Sequence, residues 1–293
     1  MRRLTPLLFV APFFALYAVF GVFPLFYTAW ISLRDWHLLN GDQGFLGLAN
    51  YADLLGDPGF WRALTNTVSI FVLAVVPQLL AALGIAALLN RPLRGGMFWR
   101  TGILLPHLVS VVAVALVFSQ LFGRDFGLVN WVLGLFGADP VSWQSHTWSS
   151  HLAIATMVMW RWTGYDALIL LAAMRTVPDE LREAAELDGA SRWRAFWSVT
   201  VPAIRPTLVF VVITSTIGGL QLFTEPLMFD DTGTGGGGND RQFQTLAMYL
   251  YEKGFLAFDA GYAAAVGWVL VVLSVLLAVV NVRLVRRFTG GGP

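Results

Sequence analysis

Six apolar runs govern what this chain can fold into. They lie at Leu7–Leu33, Thr65–Leu89, Thr101–Phe122, Leu152–Met174, Ala203–Phe223 and Tyr262–Val285. A helix needs about 20 apolar residues to cross the hydrocarbon core of a bilayer. Inside that core every backbone N–H and C=O must be satisfied within the segment, which leaves the helix as the form these runs can take. The expected fold class is therefore all-α, a polytopic membrane protein of six transmembrane helices occupying residues 1–293 as one domain. Composition agrees: of 293 residues, 57% are hydrophobic and 13% charged, where soluble domains carry about 25% charged residues. Arg2 and Arg3 precede the first run as they would in a signal peptide. The run is far longer than the roughly 7–15 apolar residues of a signal core, so a retained helix is expected.

Orientation follows from the basic residues, which concentrate on the cytoplasmic side of a membrane. One alternating set of connections holds thirteen arginines: Arg2, Arg3, Arg91, Arg94, Arg100, Arg175, Arg182, Arg192, Arg194, Arg205, Arg283, Arg286 and Arg287. The opposite set holds Arg34, Arg62, Arg124, Arg241 and Lys253. Both termini are expected to be cytoplasmic. On the outer side, the glycine-rich Asp230–Asp240 stretch cannot hold regular structure without help. Gly127–Phe136 is apolar but too short to span, and is expected along the outer interface or capping the bundle.

Several chemistries are missing. With no cysteine, disulfides, thiolate metal sites and cysteine nucleophiles are excluded. The sole lysine, Lys253, stands between Glu252 and Gly254, so the Gly-Lys-Ser/Thr core of a P-loop is absent. His37, His107, His146 and His151 show no HExxH spacing, and no serine sits in a GxSxG elbow. No enzyme site, bound cofactor, metal or nucleic-acid partner is expected.

The cytoplasmic segment 176–202, TVPDELREAAELDGASRWRAFWSVTVP, is the most informative. Thr176 is expected to cap a helix, with Pro178 in its first turn and Asp179 completing a capping box. Asp179, Glu180 and Glu183 suit its positive end. Gly189 suits the left-handed position that ends it, and the small Ala184 and Ala185 allow another surface to approach. A second helix follows, with Trp193, Phe196, Trp197 and Thr200 spaced along one face. Lying on the membrane is one reading of this pair. The first helix, acidic and poor in apolar surface, would be repelled by anionic lipid and suits an arginine-lined protein groove better.

Glu183-Ala184-Ala185, Gly189 and Val199-Thr200-Val201-Pro202 resemble, at the right spacing, the EAA motif of ABC importer permeases. Val199 and Val201 stand in place of the usual Ile and Leu. Asp188, Gly189, Ala190 and Pro206 fit the sugar-importer version. Further pieces resemble the family in order: Gly47–Tyr51, Asn66-Thr67, Phe98, Arg100, Pro106, Gly127, Asn130, Trp160, Gly164, a glycine-rich Gly235–Gly238 loop and Gly261–Ala263. The resemblance implies a type I ABC importer permease (MalF/MetI-like) fold in the bacterial cytoplasmic membrane. It implies a second homologous permease subunit, two ATPase subunits that hold the ATP and magnesium, and an extracytoplasmic solute-binding protein. It also implies that Glu183, Ala184, Ala185, Asp188, Gly189 and Ala190 couple this chain to an ATPase.

Polar residues inside spans are costly and therefore functional suspects. Arg161 and Asp166 lie in the fourth run beside Trp160, Trp162 and Tyr165, where a direct pair along the helix is possible. Gln221 and Glu225 are four apart and expected on one helical face. Asn66 and Gln78 follow at lower rank. Structural helix–helix bonding is one reading of these groups. A sugar site is the other, since aromatic rings pack on pyranose faces while Arg, Asp, Gln and Glu bond hydroxyls. Gln221–Pro226, Gln242–Thr245 and Tyr249–Glu252 resemble permeases for cellobiose and related β-glucosides. The expected cargo is a di- or oligosaccharide, with trehalose another possibility. A permease for a non-sugar solute and a secondary transporter stand as alternatives, the latter disfavoured by the lack of clear internal repeats.

Overall fold

The computed structural model describes residues 5–92 and 94–288. Arg2 and Arg3, which contribute to the orientation argument, lie outside the described residues. The N-terminal run forms α1 (Thr5–Tyr17) and α2 (Phe23–Ile31), joined by a π-helical turn at Ala18–Val22. That turn sits just ahead of Pro24, which cannot donate the next helical hydrogen bond. A hairpin that the sequence did not announce follows, β1 (Arg34–His37) against β2 (Gly41–Phe45), antiparallel with an irregularity at Asp35/Trp36. Then come α3 (Ala49–Gly56), α4 (Pro58–Leu89), α5 (Gly96–Leu108), α6 (Val111–Leu121), α7 (Leu128–Leu135) and α8 (Thr147–Met174). The segment 176–202 folds as α9 (Asp179–Leu187), α10 (Arg192–Ala195), a π turn at Phe196–Thr200 and α11 (Val201–Ala203). Next are α12 (Arg205–Leu220), α13 (Thr224–Phe229), α14 (Leu246–Tyr251), a π turn at Glu252–Leu256 and α15 (Ala260–Phe288).

Among the described residues, three helices are individually long and apolar enough to cross a membrane, at Phe9–Ile31, Pro58–Leu89 and Ala260–Arg283. Two expected spans are not straight. Gly96–Leu108 and Val111–Leu121 meet at 90°, so the third run is a broken helix. Pro106, which lacks an amide donor, lies in the last turn of α5, which ends at Leu108, and Val109 adopts extended backbone between the two halves. Arg192–Ala203 and Arg205–Leu220 meet at 74°, with the break at Ile204 just before Pro206. The fifth run therefore begins at Arg205 and ends at Leu220, shorter at both ends than expected. Counting each bent pair as one span gives five. The fourth run lies in α8, whose 28 residues reach about 42 Å at 1.5 Å per residue. Its polar residues keep it below the apolarity of the others.

The chain divides into two compact units. The first, Met1–Trp61 with Tyr249–Val271, carries α1 to α3, the hairpin, the π turn after α14 and the start of α15. Asn50 binds it together by donating to the carbonyls of Ser32 and Arg34, each at 2.9 Å. The second unit, Arg62–Met248 with Val272–Pro293, holds among the described residues a small apolar cluster of Phe71, Val75 and Leu220 and two larger cores. One gathers Ile70, Val114, Phe118, Ile154, Met157, Phe229 and Phe243. The other gathers Ala82, Ala86, Ala167, Leu170, Met174, Ile204 and Val211. Lipid tails are as apolar as leucine, so close approach of small residues has to supply the attraction between membrane helices. Gly164 does this most tightly: a methyl group there would run into the Ile103 carbonyl of α5.

Candidate functional site

α8 carries the polar centre of the second unit. One helical turn places Arg161 and Asp166 in different company, and they do not pair with each other. Arg161 Nη1 donates to Glu225 Oε1 of α13 at 3.0 Å, with side chains 13% and 7% exposed. The guanidinium carbon also lies 5.7 Å from the Trp162 ring. Asp166 Oδ2 instead accepts from Gln78 Nε2 of α4 at 2.8 Å and from Ser215 Oγ of α12 at 3.1 Å. The fully buried carboxyl of Asp166 thus ties α4, α8 and α12 at one point. Thr216, the neighbour of Ser215, accepts from Asn281 of α15 at 2.7 Å.

Aromatic rings gather beside the Arg161–Glu225 pair. His107 of α5 stacks on Tyr165 at 4.5 Å and meets Trp162 edge-on at 4.7 Å. Arg161 Nε and His107 Nδ1 are buried without a hydrogen-bond partner. Trp160, partly exposed, packs on Phe118 at 5.5 Å. Gln221 and Glu225 do not share the expected helical face. α12 ends at Leu220 and Glu225 lies in the first turn of a new helix, α13; Gln221 is exposed while Glu225 is buried. His107, Ser215 and the promoted role of Gln78 escaped the sequence reading, because each comes from a different helix and no spacing links them to Arg161 or Asp166.

Asn66 has a defined employment: its amide donates to the carbonyls of Arg241 at 2.9 Å and Gln244 at 3.1 Å. His151, on α8, joins Ser69 Oγ and the Gln242 carbonyl, each at 2.9 Å. Asp230 supplies the help the glycine-rich stretch required, accepting from the Thr232 and Gly237 amides at 3.0 Å. The loop is irregular, yet its C-terminal end is pinned to α4 through Arg62 and Asn66 and to α8 through His151, while the Asp231 amide donates to Gln144 Oε1 at 3.2 Å.

In the segment 176–202, α9 follows Pro178, and Thr176 does not cap it. Its hydroxyl turns back to the Ala173 carbonyl at 2.8 Å. At the surface Arg182 pairs with Asp179 at 3.0 Å. Gly189 takes φ +82°, the left-handed conformation expected of it, and the Ala190 amide closes back on the Ala185 carbonyl at 2.9 Å. Glu183, Ala184, Asp188 and Gly189 are exposed, and Ala185 and Ala190 half-buried. Leu187 is 89% exposed, an apolar contribution to this surface that the sequence reading passed over. Trp193, Phe196 and Trp197 form one mutual cluster with ring centroids 5.5–6.3 Å apart. The π turn that follows alters the register by which Thr200 was expected to join them.

Apolar helices, some broken, around a buried polar centre define a polytopic membrane transport subunit. The chain belongs to the family described as binding-protein-dependent transport system inner membrane component, which matches residues 58–290. Members of that family are permeases, so the chain is a permease and not an enzyme. It is 38% identical over 276 residues to the lactose transport system permease protein LacF of Rhizobium radiobacter, covering 92% of this chain and 90% of that protein. It is 32% identical over 292 residues to the arabinooligosaccharides transport system permease protein AraP of Halalkalibacterium halodurans, covering 99% and 90%. The trehalose/maltose transport system permease protein MalF of Thermococcus litoralis is 31% identical over 279 residues, covering 95% and 92%. The fold matches a chain in the crystal structure of a bacterial alginate ABC transporter in complex with an alginate pentasaccharide-bound periplasmic protein. The TM-score is 0.82 at 21% identity, over 100% of this chain and 97% of that one. This is the type I ABC permease fold.

Proposed function

We propose that this chain is one of two homologous permease subunits of an ATP-driven importer for a di- or oligosaccharide. The observation that carries this reading is near full-length similarity to permeases named for lactose, arabinooligosaccharides, and trehalose and maltose. The site chemistry fits: a buried ion pair at 3.0 Å beside ring faces suits a neutral, hydroxyl-rich cargo better than an ion, which would compete for the pair. Trp160, Arg161, Tyr165, Asp166, Gln221, Glu225 and Asn66 are the candidates for the substrate path. Asn66 and Asp166 serve it by positioning, since their hydrogen bonds are taken by the protein.

The whole chain works as one permease domain with both termini cytoplasmic, and 176–202 is its coupling loop. Two ATPase subunits bind and hydrolyse ATP with magnesium, and this chain holds no cofactor. Glu183 meets a basic group on one ATPase, Leu187 adds apolar contact, and Gly189 sets the turn that passes the displacement to α10. An extracytoplasmic binding protein delivers the sugar.

The test is reconstitution of this chain with the second permease, ATPase and binding protein encoded beside it. A panel of disaccharides, with cellobiose and trehalose first, is then offered with ATP inside the vesicles. The expected result is uptake that needs both ATP and the binding protein. Uptake driven by an ion gradient without ATP, or uptake of amino acids alone, would overturn the reading.

A further inference from the structure

We infer that the segment Arg192–Ala203 is a membrane-surface anchor, seating Trp193 and Trp197 among anionic lipid headgroups while the neighbouring α9 stays free for protein. The inference rests on the chain's being a membrane permease and is independent of its cargo.

The geometry comes first. Arg192–Ala203 is one continuous helical segment and stands 74° from α12, with which it forms one of the two bent apolar pairs. If α12 enters the bilayer near its normal, a segment at that angle lies close to the plane of the membrane surface. The chain has no spacer between the two, since Ile204 alone separates them. The segment is therefore held where headgroups are.

The faces come second. Ala195 and Val201 are buried, and Phe196 packs against the apolar core built from Ala167, Leu170 and Ile204. At about 100° per residue, Trp193 and Trp197 fall opposite Ala195, and Arg192 and Arg194 fall on either side of Trp193. The exposures follow that pattern, with Trp193 at 71% and Trp197 at 44%. Indole rings favour the boundary between headgroups and acyl chains. Two arginines flanking an aromatic stripe are the arrangement of a helix that lies in that boundary.

Charge separates the two halves of the segment. α9 and its C-cap carry Asp179, Glu180, Glu183, Glu186 and Asp188 against Arg182. From Ser191 to Arg205 there are Arg192, Arg194 and Arg205 and no acid. An anionic leaflet attracts the second set and repels the first. The turn at Gly189 joins two surfaces of opposite sign, one for lipid and one for protein. The anchor then acts as a fulcrum, so that movement of α9 tilts α12 instead of sliding the whole segment along the membrane.

The experiment uses the complete transporter, with cysteine-free partner subunits. The native chain has no cysteine, so Trp193→Cys or Leu187→Cys carries a single fluorophore. The vesicles are equal parts phosphatidylethanolamine and phosphatidylglycerol. Quenching by a nitroxide on a lipid acyl chain is compared with quenching by a water-soluble nitroxide. The expected result is at least twofold more lipid quenching at 193 than at 187. A label at 193 that the aqueous quencher reaches as fully as at 187, or that is shielded from both quenchers by the ATPase, would overturn the anchor. In Trp193→Cys, replacing phosphatidylglycerol by phosphatidylcholine should lower lipid quenching, and adding Arg192→Gln with Arg194→Gln should abolish that dependence. Equal quenching in both lipids would overturn the role given to the arginines.

Discussion

Arg161 and Glu225, 64 positions apart, meet at 3.0 Å and join α8 to α13 inside the second unit. Removing one member of such a pair strands the other as an uncompensated buried charge, which costs about 3–5 kcal/mol. Replacing both by apolar residues of similar volume avoids that cost. Glu225→Ala should therefore lower the melting temperature of the detergent-solubilised complex and depress uptake. A Met pair at the two positions should melt near the parent yet fail to transport if the pair serves the path. Restored uptake in the Met pair would reduce the two charges to a structural role.

Gly164 sits where α8 crosses α5, and a side chain there would collide with the Ile103 carbonyl. The obstacle is backbone, which cannot swing aside as a side-chain tip can. Gly164→Ala should cost at least the ~1–3 kcal/mol typical of overpacking, and Gly164→Val should abolish assembly. Gly218 lies on α12 with open space around it, so Gly218→Ala should melt within a degree or two of the parent. Yield and thermal melting of the purified complex read both.

The length of the apolar runs made most of the membrane helices legible, because hydrocarbon demands that length in whatever context it occurs. The breaks were not. Proline is tolerated inside membrane helices when neighbours satisfy the freed groups, so Pro106 in an apolar run does not announce a 90° bend. The same limit applies at the site. Arg161, Asp166 and Glu225 stand out as ionisable groups among apolar ones, but their partners are fixed by how α4, α8, α12 and α13 pack. The four-residue spacing of Gln221 and Glu225 misled because the helix it presumed stops at Leu220. The turn at Gly189 was readable for the opposite reason: a left-handed residue is a local demand that glycine meets alone.

Asp57 offers a test by pH. Burial alone would raise the pKa of its carboxyl. Hydrogen bonds from the Tyr249 hydroxyl and the Gly59 amide, the Lys253 ammonium 3.7 Å away and the Tyr262 hydroxyl outweigh it and hold the pKa below the ordinary value. A depressed carboxylate pKa adds stability at pH values above the unfolded pKa of about 3.9, and that stability is lost as pH falls through the lower, folded value. Because the group is partly exposed, about 1 kcal/mol is a fair scale. The melting-temperature gap between the parent and Asp57→Asn should stay constant from about pH 5 to pH 8 and close below about pH 4. A gap that instead widened in acid would contradict the assignment.

Gly189 separates folding from coupling. Its φ of +82° is strained for any residue with a β-carbon, yet no atom stands within 4 Å of where that carbon would go. The penalty of Gly189→Ala is then conformational only, on the order of 1–2 kcal/mol, and it falls on an exposed turn instead of a core. The turn has two ways to relieve it: α9 can lengthen by a residue, or Ala190 can lose its bond to the Ala185 carbonyl. Either rotates Glu183 and Leu187 relative to α10 while leaving the two larger apolar cores of the second unit intact. Gly189→Ala should therefore melt close to the parent, while sugar-stimulated ATP hydrolysis and uptake fall together. Glu183→Ala should depress the same two activities through loss of contact, without altering the turn. Full stimulation in both variants, with full uptake, would remove this loop from the coupling route and leave its glycine a purely local necessity.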